Sequence, residues 1–199
     1  KAERMRNDDL SHSSWALGII TGNNAKVLKE RPRPGLEPIF TGKDISKYSL
    51  KKANRYVKYD RADFQQCAKD EFYRAKEKLV YKFVSGHLCF TYDDKQRLFL
   101  NSANILIPDI EGMSVKTVLA FLNSALFNFL YVKRFDDLKI LKGNLSTLPF
   151  PKITPETNKQ LTALVDNALK GDADASKEID SLIFALYELD SEEIKLITE

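Results

Sequence analysis

The run Ser114–Ile153 (SVKTVLAFLNSALFNFLYVKRFDDLKILKGNLSTLPFPKI) restricts the fold of this chain more than any other stretch. Val115, Val118, Leu119, Leu122, Ala125, Leu126 and Phe129 recur at steps of three and four, and Ser114 stands where a helix cap belongs. Phe121, Phe127 and Tyr131 add apolar rings on the opposite side. The spacing therefore predicts one helix over 114–132, covered by protein nearly all round. Lys116, Asn123, Ser124 and Asn128 interrupt it too often for a membrane span. A charged break at 133–137 follows, then the short segment 138–141, Gly143 and Leu148-Pro149-Phe150-Pro151. The prolines exclude helix there and hold the chain extended. A buried helix with a stiff exit needs earlier strands to pack on it, and a new unit begins after Ile153.

Those strands are legible upstream. Trp15–Ile20 (WALGII) reads as a strand, 21–24 (TGNN) as a turn, and 25–28 as a returning strand. Residues 29–38, with three prolines and a glycine, form a loop. One helical turn is expected at 43–48, a strand at 55–59, and partial helix over 64–78. Segments 79–84, 88–92 and 98–107, joined by turns at 85–86 and 93–94, predict an antiparallel meander. Beyond the exit, Thr154 and Pro155 open a helix to about Lys170, ended by Gly171. Another starts at Asp174 or Ser176, and a last short one at Ser191, with the Ser as cap. The expected class is α+β: a small antiparallel or mixed sheet packed on a long buried helix, with a C-terminal helical appendage. Residues 1–14 read as a linker remnant, 15–153 as the main domain and 154–199 as the C-terminal helical segment.

With 199 residues, 43% apolar and 30% charged, the chain has the composition of a soluble globular protein with a real core. It begins with Lys1 and shows no signal-peptide pattern, so it reads as a piece of a longer polypeptide. Cys67 and Cys89 stand apart without metal-ligand spacing and read as reduced thiols of a cytoplasmic protein. The net charge of +3 is unevenly spread: residues 154–199 carry −7 and residues 1–153 carry +10. The span 43–82 is densest, with twelve Lys or Arg against six acids. A basic body beside an acidic tail fits a polyanion partner, although charge alone fits a solvated Lys-rich face as well.

Catalytic signatures fail one by one. Gly35–Lys43 has six residues between its glycines and Asp44 where a phosphate-binding loop needs Ser or Thr. Pro108-Asp109 with Glu193-Ile194-Lys195 imitates a nuclease set, but the second half lies in a helical acidic tail. His12 falls in the linker and His87 in a hairpin turn. No Gly-rich turn after a strand offers a dinucleotide site.

Five segments in order carry a resemblance: 18–23 (GIITGN), 37–48 (EPIFTGKDISKY), 77–82 (EKLVYK), 119–124 (LAFLNS) closing on 148–151 (LPFP), and 178–183 (EIDSLI) with 186–189 (LYEL). Together they resemble the C-terminal specificity domain of TaqI-like adenine-N6 DNA methyltransferases and related restriction-modification enzymes. The resemblance implies that 15–153 is a DNA target recognition domain. Its parent would carry an N-terminal domain that binds S-adenosylmethionine and a flipped adenine. The Asn-Pro-Pro-Tyr hallmark of that domain is absent here, so this chain is expected to bind double-stranded DNA, to hold no cofactor and to catalyse nothing. Thr41 stands where the family usually has Arg before Gly-Lys, which puts a contact from that position in doubt.

DNA recognition needs cations for phosphates and amide or guanidinium groups for base edges. Lys43 and Lys47, four apart on the expected helical turn, and Lys82 on a strand are the phosphate candidates. Asn23 and Asn24, crowning a turn, are the base-edge candidates. Each also has a plain structural use: Asn24 as a turn former or helix cap, the lysines as ordinary surface residues. Asn123 and Ser124 are expected to seal the buried helix against its neighbours. The competing reading is a protein-interaction module, in which the acidic C-terminal helices and aromatic meander dock a partner subunit, as a specificity subunit docks separate methylation and nuclease chains.

Overall fold

The computed structural model describes residues 1–135 and 137–199; Asp136, in the charged break, lies outside the described residues. In chain order come β1 (Arg6–Asp8), β2 (Ser14–Leu17), α1 (Asn24–Val27), β3 (Glu37–Phe40), β4 (Ile45–Ser46), β5 (Ser49–Leu50) and β6 (Tyr56–Val57). The middle of the chain supplies α2 (Asp70–Tyr73), β7 (Lys78–Lys82), β8 (Phe90–Asp93), β9 (Leu98–Phe99) and β10 (Ala103–Ile107). Then follow α3 (Val115–Asn123), α4 (Ala125–Arg134), α5 (Lys142–Leu145), β11 (Phe150–Pro151), α6 (Pro155–Leu169), α7 (Ala175–Leu186) and α8 (Ser191–Thr198). The class is α+β.

The main sheet has the order β2-β10-β7-β8 and is antiparallel throughout. Side chains on a strand alternate between faces, and β7 uses both. Leu79 and Tyr81 face a core completed by α3, α4 and the C-terminal helices. Val80 faces a second core shared with the three-stranded sheet β6-β3-β9. Lys78 is fully buried, its ammonium 2.6 Å from Asp93, the residue opposite it in the β7–β8 register.

The meander reading of 79–107 needs correction. β7 and β8 form the expected hairpin, but the run 98–107 divides. β9 pairs in parallel with β3 in the second sheet, and β10 pairs with β7 rather than β8. The polar pair Asn101-Ser102 sits in a turn between the two halves, so one apolar run serves two cores. The returning strand expected at 25–28 is also wrong. Asn23 accepts a hydrogen bond from the Lys26 N–H at 3.1 Å and nucleates α1 instead.

The segment 114–132 is two helices meeting at a bend of 61°. Ser124 breaks it. Its hydroxyl accepts from the Phe127 N–H and donates to the Phe121 carbonyl, while its own backbone is extended. A side chain that serves both helix ends offers the chain an alternative to continuing. The apolar period runs through the bend, because Phe121, Leu122, Leu126 and Phe127 all enter one core; periodicity alone therefore hides the break. No single helix is long and apolar enough to cross a membrane.

Asn123 is one of the seals the sequence implied. Its amide exchanges two hydrogen bonds with the backbone of Phe90, at 2.9 and 3.0 Å, and Asn128 accepts from the Leu88 N–H at 2.9 Å. With the Tyr48 N–H, which also donates to the Phe90 carbonyl at 3.1 Å, they seal the outer side at the start of β8, where no further strand pairs. Replacing Asn123 with Ala strands the buried Phe90 N–H, while the Phe90 carbonyl keeps the Tyr48 N–H at 3.1 Å. The expected loss is about 1–3 kcal/mol of stability, measured by urea unfolding followed by circular dichroism.

The terminal segments join the same core. Residues 1–14 are not a loose linker, since Leu10 is fully buried and β1 pairs with β11. Thr154 caps α6 as expected, whereas Asp190 rather than Ser191 caps α8, through a reciprocal box with Glu193. Leu161, Val165, Ile179 and Ile183 of α6 and α7 pack with the residues of α3 and α4. Lys1 reaches Glu193 at 2.7 Å, which brings the two ends of the chain together.

Candidate nucleic-acid interface

The turn Leu100–Ala103, closed by the Ala103 N–H on the Leu100 carbonyl at 2.8 Å, gathers segments far apart in sequence. The Asn101 N–H donates to the Ile19 carbonyl at 3.1 Å, and the Leu100 N–H to the Phe40 carbonyl at 2.8 Å. The Phe83 N–H reaches the Ser102 carbonyl at 3.1 Å, and Lys82 lies opposite Ala103 in the sheet register. Ile20 and Gln66 exchange hydrogen bonds at 2.9 and 3.0 Å, which brings residue 65 alongside.

Two glycines make this gathering possible. A Cβ on Gly18 would lie 2.2 Å from the Leu100 carbonyl oxygen, and one on Gly42 2.3 Å from that of Ser102. Gly42 also donates its N–H to the Ser102 hydroxyl at 3.0 Å. Absence of a side chain is what lets the two backbones touch the turn.

The five residues singled out from sequence fare differently. Lys43 follows Gly42, is exposed, and makes no ion pair or hydrogen bond among the described residues. Lys82 ends β7 half-buried at the same turn, likewise without a partner. Asn24 lines a polar cavity of about 230 Å³ with Ile20, Thr21, Gly22, Gln65 and Asn101. Asn23 stays exposed, its carbonyl oxygen spent on capping α1.

Lys47 is the outlier, and the helical turn expected at 43–48 is a correction. Only Gly42–Asp44 winds, as a 3-10 turn; β4 and β5 then form a tight hairpin in which Tyr48 takes a positive φ of 59°. Lys43 and Lys47 therefore do not share a helical face. The stem of Lys47 runs along the surface, and its ammonium donates to the Asn123 carbonyl at 2.7 Å, at the C-terminal end of α3. A cation there complements the helix dipole. Burial holds this amine below its ordinary value, against the opposing pull of Asp180.

Thr41 also has a visible use. Its hydroxyl and N–H both donate to the buried Asp44 carboxylate, at 2.8 and 2.7 Å, and Arg55 pairs with the same oxygen at 3.2 Å. The residue before Gly-Lys here closes the 3-10 turn, and the nearby guanidinium comes from another strand end.

Gln65, Asn101 and Ser102 were missed from the sequence. The interruption of an apolar decapeptide by Asn101-Ser102 was the available signal; nothing local marks Gln65, which arrives through the bridge between Ile20 and Gln66. Among the described residues, no group of three His, Cys, Asp or Glu side chains is arranged to hold a metal ion.

Comparison with known families decides the lineage. The family model of the TaqI-like C-terminal specificity domain matches residues 37–150, more than half of the chain. The chain belongs to that family. The matched span runs from β3 to β11 and so contains the 100–103 turn, Lys43 and Lys82. Gly18 and Asn24 lie ahead of it but are drawn onto the same turn.

Solved structures of similar shape extend the likeness over nearly the whole specificity-domain chain. The type IIL restriction-modification enzyme MmeI, solved in complex with DNA, superposes with a TM-score of 0.62 at 11% identity, covering 98% of this chain and 37% of its own. A structure of a type I restriction-modification assembly gives 0.56 at 14% identity, over 96% of this chain and 44% of that one. The HsdS subunit from Thermoanaerobacter tengcongensis gives 0.51 at 13%, over 88% and 42%. At these identities the likeness is one of fold, and the chain spans less than half the length of each relative. A search of curated proteins found no similar sequence.

Proposed function

We propose that this specificity domain recognises double-stranded DNA by sequence, as part of a restriction-modification enzyme. In this reading it positions an adenine-N6 methyltransferase domain, located N-terminal to it in the same polypeptide, on its target site. S-adenosylmethionine belongs to that other domain, and this chain contributes only recognition. The observation that carries the reading is that the 100–103 turn gathers the segments of Lys43 and Lys82, two cations without a partner among the described residues, and one wall of the amide-lined cavity. Cations fix a protein on phosphates while amides read base edges, and a DNA reader needs both on one surface.

Each phosphate neutralised by a lysine adds about 0.9 to the slope of log K against log salt. The double variant Lys43→Ala, Lys82→Ala should therefore lower that slope by nearly two and weaken all duplexes alike. Lys47→Ala should change the slope far less, because its ammonium is already committed to α3. Fluorescence anisotropy with labelled duplexes across a salt series measures all three. An unchanged slope in the double variant would refute the reading.

A second reading, docking of a partner subunit, rests on one observation. An open apolar groove of about 740 Å³ runs between α6 and α7, lined by Ala163, Leu164 and Leu182 and flanked by Glu178, in the acidic part of the chain. It concerns a different surface from the 100–103 turn, so the two readings are compatible.

A further inference from the structure

The geometry points to Gln65 and Asn101 as the pair that reads an adenine edge in the major groove, an inference that rests on the DNA-recognition reading above. An amide that recognises adenine uses both of its ends at once: the carbonyl accepts from the exocyclic N6 amine and the NH2 donates to N7. Both ends must therefore be free in the unbound protein. Asn23 fails this requirement, because its carbonyl oxygen holds the Lys26 N–H at 3.1 Å as the cap of α1. Asn24 fails it too, since its oxygen is turned inward to accept the Thr21 hydroxyl at 2.5 Å. What those two side chains still offer outward is an NH2 group, which can donate but does not discriminate an adenine edge by itself.

Gln65 and Asn101 satisfy it. Both are exposed, both line the polar cavity beside Asn24, and neither amide side chain is hydrogen-bonded among the described residues. Their backbones are nevertheless fixed. Gln65 precedes the residue bridged to Ile20, and the Asn101 N–H is tied to the Ile19 carbonyl. The amides thus project from immobilised backbone, the arrangement that makes a contact specific rather than adaptable.

Gly22 keeps the space open. It adopts a φ of +75°, and a Cβ there would come within 3.2 Å of both Cβ and Oε1 of Gln65. Lys43, next to Gly42, and Lys82 belong to segments tied to the same turn as Asn101. A groove held by cations on its phosphates would present base edges to these two amides.

The test is selection from a random-sequence duplex library by the wild-type chain and by Gln65→Ala and Asn101→Ala, followed by affinity measurements on the enriched duplexes. Each substitution should remove a preference for A·T at one position, about 10- to 100-fold against the wrong base, and leave the salt slope as it was. Replacing that adenine with 7-deazaadenine, which lacks the N7 acceptor, should weaken the wild type and not the matching variant. Both side chains are exposed, so circular dichroism should show the fold intact. Variants that keep every wild-type preference overturn the inference, as does a uniform loss with a shallower salt slope, which would make these amides backbone contacts. If the wild type enriches no sequence and Lys43→Ala, Lys82→Ala leaves the salt slope unchanged, DNA recognition itself has failed and the inference falls with it. That pattern is distinct from wild-type enrichment with unaffected amide variants.

Discussion

Replacing Asp93 with Asn is expected to lower the stability of this domain by about 3–5 kcal/mol at neutral pH. Asp93 and Lys78 are both fully buried and lie 2.6 Å apart, opposite each other in the β7–β8 register. The carboxylate also accepts the Arg97 N–H at 2.9 Å, the Arg97 guanidinium at 2.8 Å and the Lys95 N–H at 3.2 Å; the ammonium donates to the Tyr73 carbonyl at 2.8 Å. Asn would leave a buried ammonium without its counter-charge, and this uncompensated ion sets the size of the loss. Adding Lys78→Met should recover much of it, since it removes the buried ammonium that Asn leaves without a counter-charge.

The pH dependence has a definite sign. Burial alone would raise the Asp93 carboxyl, but Lys78 and Arg97 outweigh it and hold it below the ordinary carboxylate value. A depressed carboxyl stabilises fully above its unfolded pKa of about 3.9 and loses that contribution as pH falls through the folded value. The stability gap between wild type and Asp93→Asn should therefore be constant near neutrality and close below pH ~4. Urea titrations at pH 7 and pH 3 measure it. A gap under about 1 kcal/mol at pH 7 would mean that the pair is better solvated than its burial implies.

Gly18→Ala is the second large effect, and it links stability to recognition. The added methyl would sit 2.2 Å from the Leu100 oxygen, 2.4 Å from its carbonyl carbon and 2.6 Å from the Ala103 oxygen. All three are backbone atoms, so no side chain can swing away to relieve the clash. Overpacking usually costs about 1–3 kcal/mol, and a clash with fixed backbone belongs at or beyond the upper end. The turn must shift, and it carries Asn101. The variant should thus lose thermal stability by several degrees and also lose sequence discrimination, whereas Gly143→Ala, whose Cβ meets nothing within 4 Å, should change neither. Calorimetry and duplex selection together check both halves.

What the sequence made legible follows from locality. The capped start of α6, the buried character of Leu122 and Leu126 and the β7–β8 hairpin depend on neighbours within a few residues, so pattern sufficed. Ser124 was visible as a seal but not as a break, because both helices send the same apolar period into one core. The split of 98–107 could not be read, since strand pairing is decided by partners at residues 39–40 and 79–82. Within the candidate interface, Lys43 and Lys82 came from charge density. Gln65 was invisible, as its position depends on a bridge between Ile20 and Gln66 that no local pattern announces. The helical face expected to join Lys43 and Lys47 fails for a similar reason: four-residue spacing indicates a shared face only where the chain is helical, and here it turns into a hairpin.

The sealing of β8 by Asn123 and Asn128 has a consequence for association. A strand at the margin of a sheet normally offers a row of free backbone groups on which another strand can grow, the usual route to aggregation or domain swapping. Here the N–H of Leu88 and both backbone groups of Phe90 are already taken by side chains of the kinked helix pair. A foreign strand would have to displace amides held in a core, not solvent. At Leu88 and Phe90 this margin of the main sheet resists templated growth without a charged or proline-bearing strand to guard it. Strand exchange between copies has an easier start at the opposite margin, on the four residues of β2.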